Sequence, residues 1–216
     1  ALPGQLHYSY DRFRQLVASH VDAAGLTARI THTPGHTMQV DWAGTKMRLF
    51  DPYGASGVKV SVFVASMPYS GMIFALACPD ERQHSWLDAH HHAFAYFGGV
   101  PEVVVPDNAS TASNAISAAD RNRKVNDTYE QFLEHYNTAA LPTRSKRPKD
   151  KANVEAAVKI VTHKVIHALD GHQCVDLDEL NTRIRQLVDQ INQAVPFRPQ
   201  QSSRKDIFDA HERHLL

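Results

Sequence analysis

The order of the predicted elements indicates an α/β fold in which helices flank a mixed five-stranded sheet. The clearest strand, "VKVSVFVASM", alternates valines on one face with apolar side chains on the other, as in a strand that is covered on both sides. Two further strand-like runs, "MQVDWAG" and "MIFALACP", lie on either side of it along the chain, and turn residues separate all three. Helical and strand-like runs alternate after that point, which is typical of an α/β arrangement.

The first three strands are predicted to form an antiparallel meander, and "KMRLFD" either extends the first strand or begins a hairpin. The run "DERQHSWLDAHHHAFAYFGGV" has helical periodicity and ends at Gly98 and Gly99. If the first strand is central, this helix is a crossover that places "EVVVP" parallel to it. Asp41 and Asp107 then lie at the same ends of neighbouring strands, roughly 5 Å apart in the pairing direction.

The remaining elements are a helix, "NDTYEQFLEHY", an edge strand, "TAALPTR", and a long helix from "RPKDKANVEAAV" to about Leu169. Two more helices follow, "DLDELNTRIRQLVDQINQAV" and "RKDIFDAHERHLL". The predicted domains are an N-terminal helical connector (residues 1–33, with an amphipathic helix over 8–22), a core (34–170) and a C-terminal helical extension (171–216).

The composition is that of a globular protein, with 216 residues of which 43% are hydrophobic and 21% are charged. No apolar run approaches the roughly 20 residues of a membrane-spanning helix. Cys78 and Cys174 lie far apart and show no metal-ligand spacing, and we therefore expect a reducing, cytoplasmic location.

Positive charge is concentrated in one part of the chain although the formal net charge is +0. Residues 121–164 contain ten Lys or Arg and five Asp or Glu, and the rest of the chain is correspondingly acidic. Such segregation favours a polyanionic partner, and a solvated surface rich in helices is the alternative.

Glu155 lies at the border between the apolar and the charged face of the long predicted helix. The apolar stripe consists of Val154, Val158, Val161, Val165 and Leu169. Lys151, Glu155, Lys159 and Thr162 form the neighbouring row. Taken alone, this row indicates an ordinary surface Glu–Lys pair worth about 0.3–0.5 kcal/mol.

Asp41 and Asp107 change that interpretation, because three converging carboxylates repel one another unless a cation joins them. Carboxylate oxygens suit Mg²⁺ or Mn²⁺ rather than Zn²⁺. Two such ions, about 3.5–4 Å apart, can activate an attacking hydroxyl and stabilise the leaving oxygen of a phosphodiester. The nearby lysines would neutralise DNA phosphates.

Four segments resemble the catalytic region of IstA-type transposases: "MQVDWAG", "PDNAS", "NDTYEQFLEHYNTAALPTRSKRPKDKANVE" and "FRPQQSSRKDIFDAHERHLL". The resemblance runs from about residue 8 to the end and implies an RNase H-like fold, similar to that of retroviral integrases, within a longer transposase. It also implies that Asp41, Asp107 and Glu155 are the catalytic acids, with Asp41 bridging two Mg²⁺ ions and the other two each completing one site. The gap of 47 residues between Asp107 and Glu155 is longer than in retroviral integrases, and "ASTASNAIS" departs from the family pattern.

The function that the resemblance implies is metal-dependent cleavage at transposon ends followed by transfer of the 3′-hydroxyl ends into target DNA. The implied partners are DNA, further copies of the chain and a helper ATPase of the IstB type, in the bacterial cytoplasm near the nucleoid. The predicted DNA-binding residues are Arg144, Lys146, Arg147, Lys149, Lys151 and Lys159, and a solvated linker is the alternative for the first four. Asn108 either supports the metal site or caps the next helix. A catalytically inactive DNA-binding module and a host nuclease of the same fold are the alternatives.

Three other features favour structural roles. Consecutive helical residues point about 100° apart, and "HHH" at residues 90–92 is therefore predicted to be exposed or half-buried rather than to bind zinc. His163 and His167 are one turn apart but lack a third ligand nearby in sequence. Trp42 is expected to point to the face opposite Asp41 and to pack there.

Overall fold

The computed structural model describes residues 31–51, 57–106, 113–115, 123–125, 127–141, 152–195, 197 and 201–216. One compact unit extends from residue 32 to residue 216, and a second comprises residues 1–31. The predicted helix over residues 8–22 and nearly all of the predicted connector over residues 1–33 lie outside the described residues.

The central sheet is mixed, as predicted, and has six strands in the described part of the chain where five were predicted. Its strands are β1 (Thr37–Trp42), β2 (Met47–Arg48), β3 (Lys59–Met67), β4 (Met72–Cys78), β5 (Val103–Pro106) and β8 (Ala139–Ala140). β3 pairs antiparallel with β4 along one edge and with β1 along the other, and β5 and β8 follow β1 in parallel. β2 pairs antiparallel with the start of β3, on the same side of β3 as β1. β1 ends at Trp42 and β2 begins at Met47, and "KMRLFD" therefore forms a separate strand paired with β3 rather than an unbroken extension of β1.

Five α-helices, a π-helical turn, a 3₁₀ turn (Arg213–Leu215) and a separate two-stranded ladder complete the described elements. The helices are α1 (Gln83–Phe97), α2 (Asp127–His135), α3 (Ala152–Val161), α4 (Leu177–Gln193) and α5 (Arg204–His211). β6 (Ser113–Ala115) and β7 (Arg123–Val125) pair antiparallel within the polar stretch after β5. None of the described helices is both long and apolar enough to cross a membrane.

The sheet separates two apolar cores, because strand side chains alternate between its faces. On one face Met38, Val40 and Phe63 pack with α1 and α2. On the other face the valines of β3, from Val60 to Val64 at period two, pack with α3 and α4. Val58 precedes β3 and is exposed, although the sequence pattern had placed it on the buried face.

The long helix predicted to end near Leu169 is α-helical to Val161 and then changes its winding. Residues Thr162–Ile166 form a π-helical turn, in which the N–H of His167 donates to the carbonyl of Thr162 at 3.0 Å. Val165 and Ile166 are both buried, and the slower rotation of a π turn allows two consecutive side chains to reach the core. The helical turns end before Gly171, which has a φ of 83°.

α4 covers the outer edge of β4 by hydrogen bonds as well as by apolar packing. The amide of Asn192 accepts the N–H of Ile73 at 3.0 Å and donates to its carbonyl at 2.7 Å. Asn181 makes the same pair of bonds with Ala77, at 2.7 Å and 3.0 Å. The two amides satisfy backbone groups that an edge strand otherwise leaves exposed.

Candidate active site

The hydrogen bond made by Gln39 shows which face of β1 points toward α3. Its Oε1 atom accepts the N–H of Val154 at 3.1 Å, and the side chain is buried. This bond satisfies an N–H group that the first turn of a helix leaves without an intrahelical partner. Because β1 alternates with period two, Asp41 points to the same face as Gln39 and therefore toward α3.

Asp41 occupies the next-to-last position of β1 and is half-buried. Its Oδ1 atom accepts the N–H of Trp42 at 2.8 Å, and it lies opposite Val64 in the register with β3. Trp42 points to the other face and packs against Phe63 and Trp86, at ring-centroid distances of 5.6 Å and 5.7 Å. The predicted packing role of Trp42 is therefore confirmed.

Glu155 lies in the first turn of α3, directly after the residue that Gln39 holds. Its side chain is exposed, whereas Val154 is buried, as the predicted border position requires. Asn153 makes a second contact at this helix start, because its Nδ2 atom lies 2.8 Å from Nε2 of His32. The start of α3 is thus fixed to β1, with the Glu155 carboxylate facing solvent beside it.

The predicted position of Asp107 depends on how β1 and β5 pair. The two strands run parallel, and Val40 pairs with Pro106, the residue immediately before Asp107. The predicted crossover and parallel pairing are confirmed up to that residue. Asp107 and Asn108 themselves lie outside the described residues.

One of the six predicted DNA-binding residues lies within the described part of the chain. Lys159 is exposed, one turn after Glu155 on α3. The other predicted DNA-binding residues, Arg144, Lys146, Arg147, Lys149 and Lys151, lie outside the described residues.

No cluster of three His, Cys, Asp or Glu side chains within the described part of the chain could hold a metal ion. Asp41 and Glu155 supply two such side chains, and the third predicted acid falls outside that part. Carboxylate oxygens are the donors that Mg²⁺ and Mn²⁺ prefer, and the donor types therefore fit the predicted ions.

The histidines at residues 90–92 do not share one environment. His91 and His92 are exposed as predicted, but His90 is fully buried, and the expectation of exposure or half-burial was wrong there. Nδ1 of His90 donates to the carbonyl of Trp86 at 2.8 Å, and Nε2 accepts from the hydroxyl of Tyr129 at 3.0 Å. Burial lowers the pKa of His90 to about 4, which keeps the ring neutral.

Sequence reasoning did not identify Gln39 as part of this site. The available signal was a polar residue between Met38 and Val40 in an otherwise apolar strand, two residues before the predicted acid. A buried polar side chain needs a partner, and the exposed start of a neighbouring helix can supply one.

Comparison with known families places residues 31–148 in the integrase core domain family. The matched range includes Asp41 and Asp107 and ends before Glu155. Similar curated proteins include a putative transposase for insertion sequence IS408 of Burkholderia multivorans, 33% identical over the whole chain, and one for IS1162 of Pseudomonas fluorescens, 32% identical. The chain spans 41% and 38% of the length of these two relatives.

Solved structures of integrase catalytic cores share the fold. The magnesium complex of the HTLV-2 integrase catalytic core domain aligns with a TM-score of 0.58 at 17% identity, covering 83% of this chain and 99% of that one. An intasome of simian T-cell lymphotropic virus contains a chain that aligns with a TM-score of 0.63 at 16% identity, covering 84% and 57% of the two chains. The fold is therefore RNase H-like, and this chain belongs to the integrase core domain family.

Proposed function

We propose that this chain is the catalytic core of a DDE transposase, which cleaves DNA at transposon ends and joins the resulting 3′-hydroxyls to target DNA. The bond from Gln39 to Val154 carries the proposal, because it brings the faces that bear Asp41 and Glu155 together. The parallel pairing of β1 and β5, which reaches Pro106, supports Asp107 as the third acid.

In this proposal Asp41, Asp107 and Glu155 hold two Mg²⁺ ions, for which Mn²⁺ substitutes. Bound ions would activate the attacking hydroxyl and stabilise the leaving oxygen of the phosphodiester. Asp41 would contribute to both ion sites, and Asp107 and Glu155 would each complete one. The carboxylate of Glu155 is exposed, and an ion from solution can therefore bind it while the core stays folded.

The proposed DNA surface begins beside Glu155. Lys159 lies one helical turn further along α3, where an ammonium group can neutralise a phosphate. The basic residues between Arg144 and Lys151 would extend this surface, and Asn108 would support the ion site or cap the next helix.

The curated relatives are much longer than this chain, and the proposed partners therefore concern the whole transposase. We propose that it acts as a homo-oligomer on transposon-end and target DNA, with a helper ATPase of the IstB type, in the bacterial cytoplasm beside the nucleoid. Within the chain, the proposed catalytic portion remains residues 34–170, with the connector before it and the helical extension after it.

Strand transfer from a short duplex with pre-cut 3′-hydroxyl ends into a supercoiled plasmid tests this function. Asp41→Asn, Asp107→Asn and Glu155→Gln should each reduce joined product by about 10³-fold, because each removes a ligand from ions worth several kcal/mol in the transition state. Asp178→Asn, an exposed change on α4, is the control and should keep the activity.

Other outcomes separate the alternatives. Plasmid nicking without joining would indicate a nuclease, and no metal-dependent reaction together with retained DNA binding would indicate an inactive module. Full activity of all three acid variants would rule out the proposed chemistry.

A further inference from the structure

One exposed row of side chains continues from Glu155 along α3 into the π-helical turn. Its members are Glu155, Lys159, His163 and His167, which we call the helical stripe, and all four are exposed. The rings of His163 and His167 lie face to edge, with centroids 5.3 Å apart. The two imidazoles therefore project from one side of the turn.

The π turn limits how far this row drifts around the helix axis. In an α-helix each step of four residues advances about 40° around the axis, so that His167 would lie about 120° from Glu155. A π turn rotates by only about 80–85° per residue, which places His163 about 60–65° and His167 about 20–45° from Glu155. The bond from the His167 N–H to the carbonyl of Thr162 shows the π geometry directly.

The inner side of the same turn is anchored in the core. Val161, Val165 and Ile166 are buried against β3 and α4, and they hold the turn in place. Substitution of the exposed histidines should therefore leave the fold intact.

The stripe leads to a cleft lined by polar side chains of mixed charge. His167 lines this cleft of about 500 Å³, together with Arg48, His172, Asp170 and Lys46, and Lys46 already pairs with Glu81. From Glu155 to His167 the stripe extends about 16–18 Å, which corresponds to roughly five base-pair steps along the axis of a duplex. Neutral imidazole retains one N–H donor, and both rings can thus donate to phosphate oxygens without being protonated.

We propose that His163 and His167 form a DNA-backbone contact site that extends the proposed active site along one strand toward the cleft. This inference rests on the proposed function for the identity of the polyanion. Lys159 neutralises phosphate charge, and the two histidines fix the path of the strand by hydrogen bonds. These contacts carry no base specificity.

Fluorescence anisotropy with a short labelled DNA duplex of arbitrary sequence tests this site. The double variant His163→Ala/His167→Ala should bind about tenfold more weakly, since two hydrogen bonds to charged oxygens are lost. His163→Gln/His167→Gln should restore most of the affinity, because the amide still donates N–H groups. The control, His84→Ala/His92→Ala, removes two exposed histidines from α1 on the opposite face of the sheet and should bind normally.

Unchanged binding by the alanine pair, or an equal loss in the α1 control, overturns the proposal. Glutamine variants as weak as the alanine variants would overturn the hydrogen-bonding role. The proposed function is tested by a separate measurement. If Glu155→Gln keeps strand-transfer activity, the proposed chemistry is wrong, but the DNA-binding result for the two histidines remains valid.

Discussion

The two ends of the sheet hold carboxylates in opposite environments. Near the end of β1, Asp41 is half-buried and Glu155 is exposed. At the other end Glu212 is only 1% exposed, and its two oxygens accept the N–H groups of Gly35 and Ser70, both at 3.2 Å. Burial raises the pKa of Glu212, and the N–H donors partly oppose that rise.

The difference shows how one residue type can serve two purposes. The oxygens of Glu212 are occupied by the protein itself, and they fix the segment after α5 to the loop before β1 and to the β3–β4 turn. Glu155 lies on a helix start that Gln39 holds rigidly, yet its carboxylate faces solvent, where a cation can approach. A carboxylate that serves chemistry needs a rigid backbone and accessible oxygens, and one that serves structure needs internal donors.

Glu155→Gln tests the first half of this comparison and should have the largest effect. Strand transfer should fall by about 10³-fold, because the amide replaces an ionic ligand by a neutral one. The melting temperature should change by less than about 2 °C, because the side chain is exposed. Calorimetry and the plasmid-joining assay on the same preparation measure both quantities, and a large loss of stability would contradict the solvent-facing role.

The acid at the end of β1 and the order of the strands were predictable from the sequence, because period-two alternation and the crossover rule are local patterns. The apolar stripe from Val154 to Leu169 was predictable for the same reason. Gln39, Asn192 and Glu212 were not, since each bonds to backbone far away in the chain. Such bonds leave no periodicity, and the sequence marks these residues merely as polar.

The π turn was also beyond sequence reasoning. A continuous α-helix explains Val161, Val165 and Leu169 equally well, and a difference of about 15–20° per residue is too small to read from a few apolar positions. The sequence feature that corresponds to the π turn is the consecutive apolar pair Val165 and Ile166, both of which are buried.

His90 extends the comparison to a buried group that titrates. The folded protein lowers its pKa to about 4 from an ordinary value near 6.5, and the unfolded chain therefore binds the proton more readily. Stability should be complete above about pH 6.5 and should fall as the pH drops toward 4, by up to about 3 kcal/mol. Urea unfolding at several pH values measures this loss. His90→Gln should flatten that part of the profile, and an unchanged slope would show that other groups cause it.

Glu212→Gln tests the structural carboxylate. The amide keeps one acceptor oxygen but presents an NH₂ group to the second backbone N–H, and the free energy of unfolding should therefore fall by about 2 kcal/mol. Denaturant titration measures the loss. Binding of Mn²⁺, followed by titration calorimetry, should be unchanged. A weaker Mn²⁺ affinity would contradict the assignment of a structural role to Glu212 and of metal binding to Glu155.

Gly35→Ala tests the same end of the sheet through the backbone. Gly35 has a φ of 68°, and an added Cβ would lie 2.7 Å from Cβ of Leu215. The strained φ and the crowding together should cost about 1–2 kcal/mol, measured by denaturant titration. Gly44→Ala is the matched control, because an added Cβ there meets no atom within 4 Å. Equal losses in both variants would argue against close docking of Leu215.

Asp209→Asn should have the smallest effect of these substitutions, although two cationic side chains contact the Asp209 carboxylate. Its oxygens contact Lys205 and Arg213, the latter at 2.8 Å, and all three side chains are substantially exposed. Exposed ion pairs contribute little because water screens them and because ordering long side chains costs entropy. The melting temperature should therefore shift by less than about 2 °C. Asp209 and Glu212 are three residues apart, and a shift as large as that of Glu212→Gln would mean that charge pairing, rather than burial with backbone donors, holds the C-terminal segment in place.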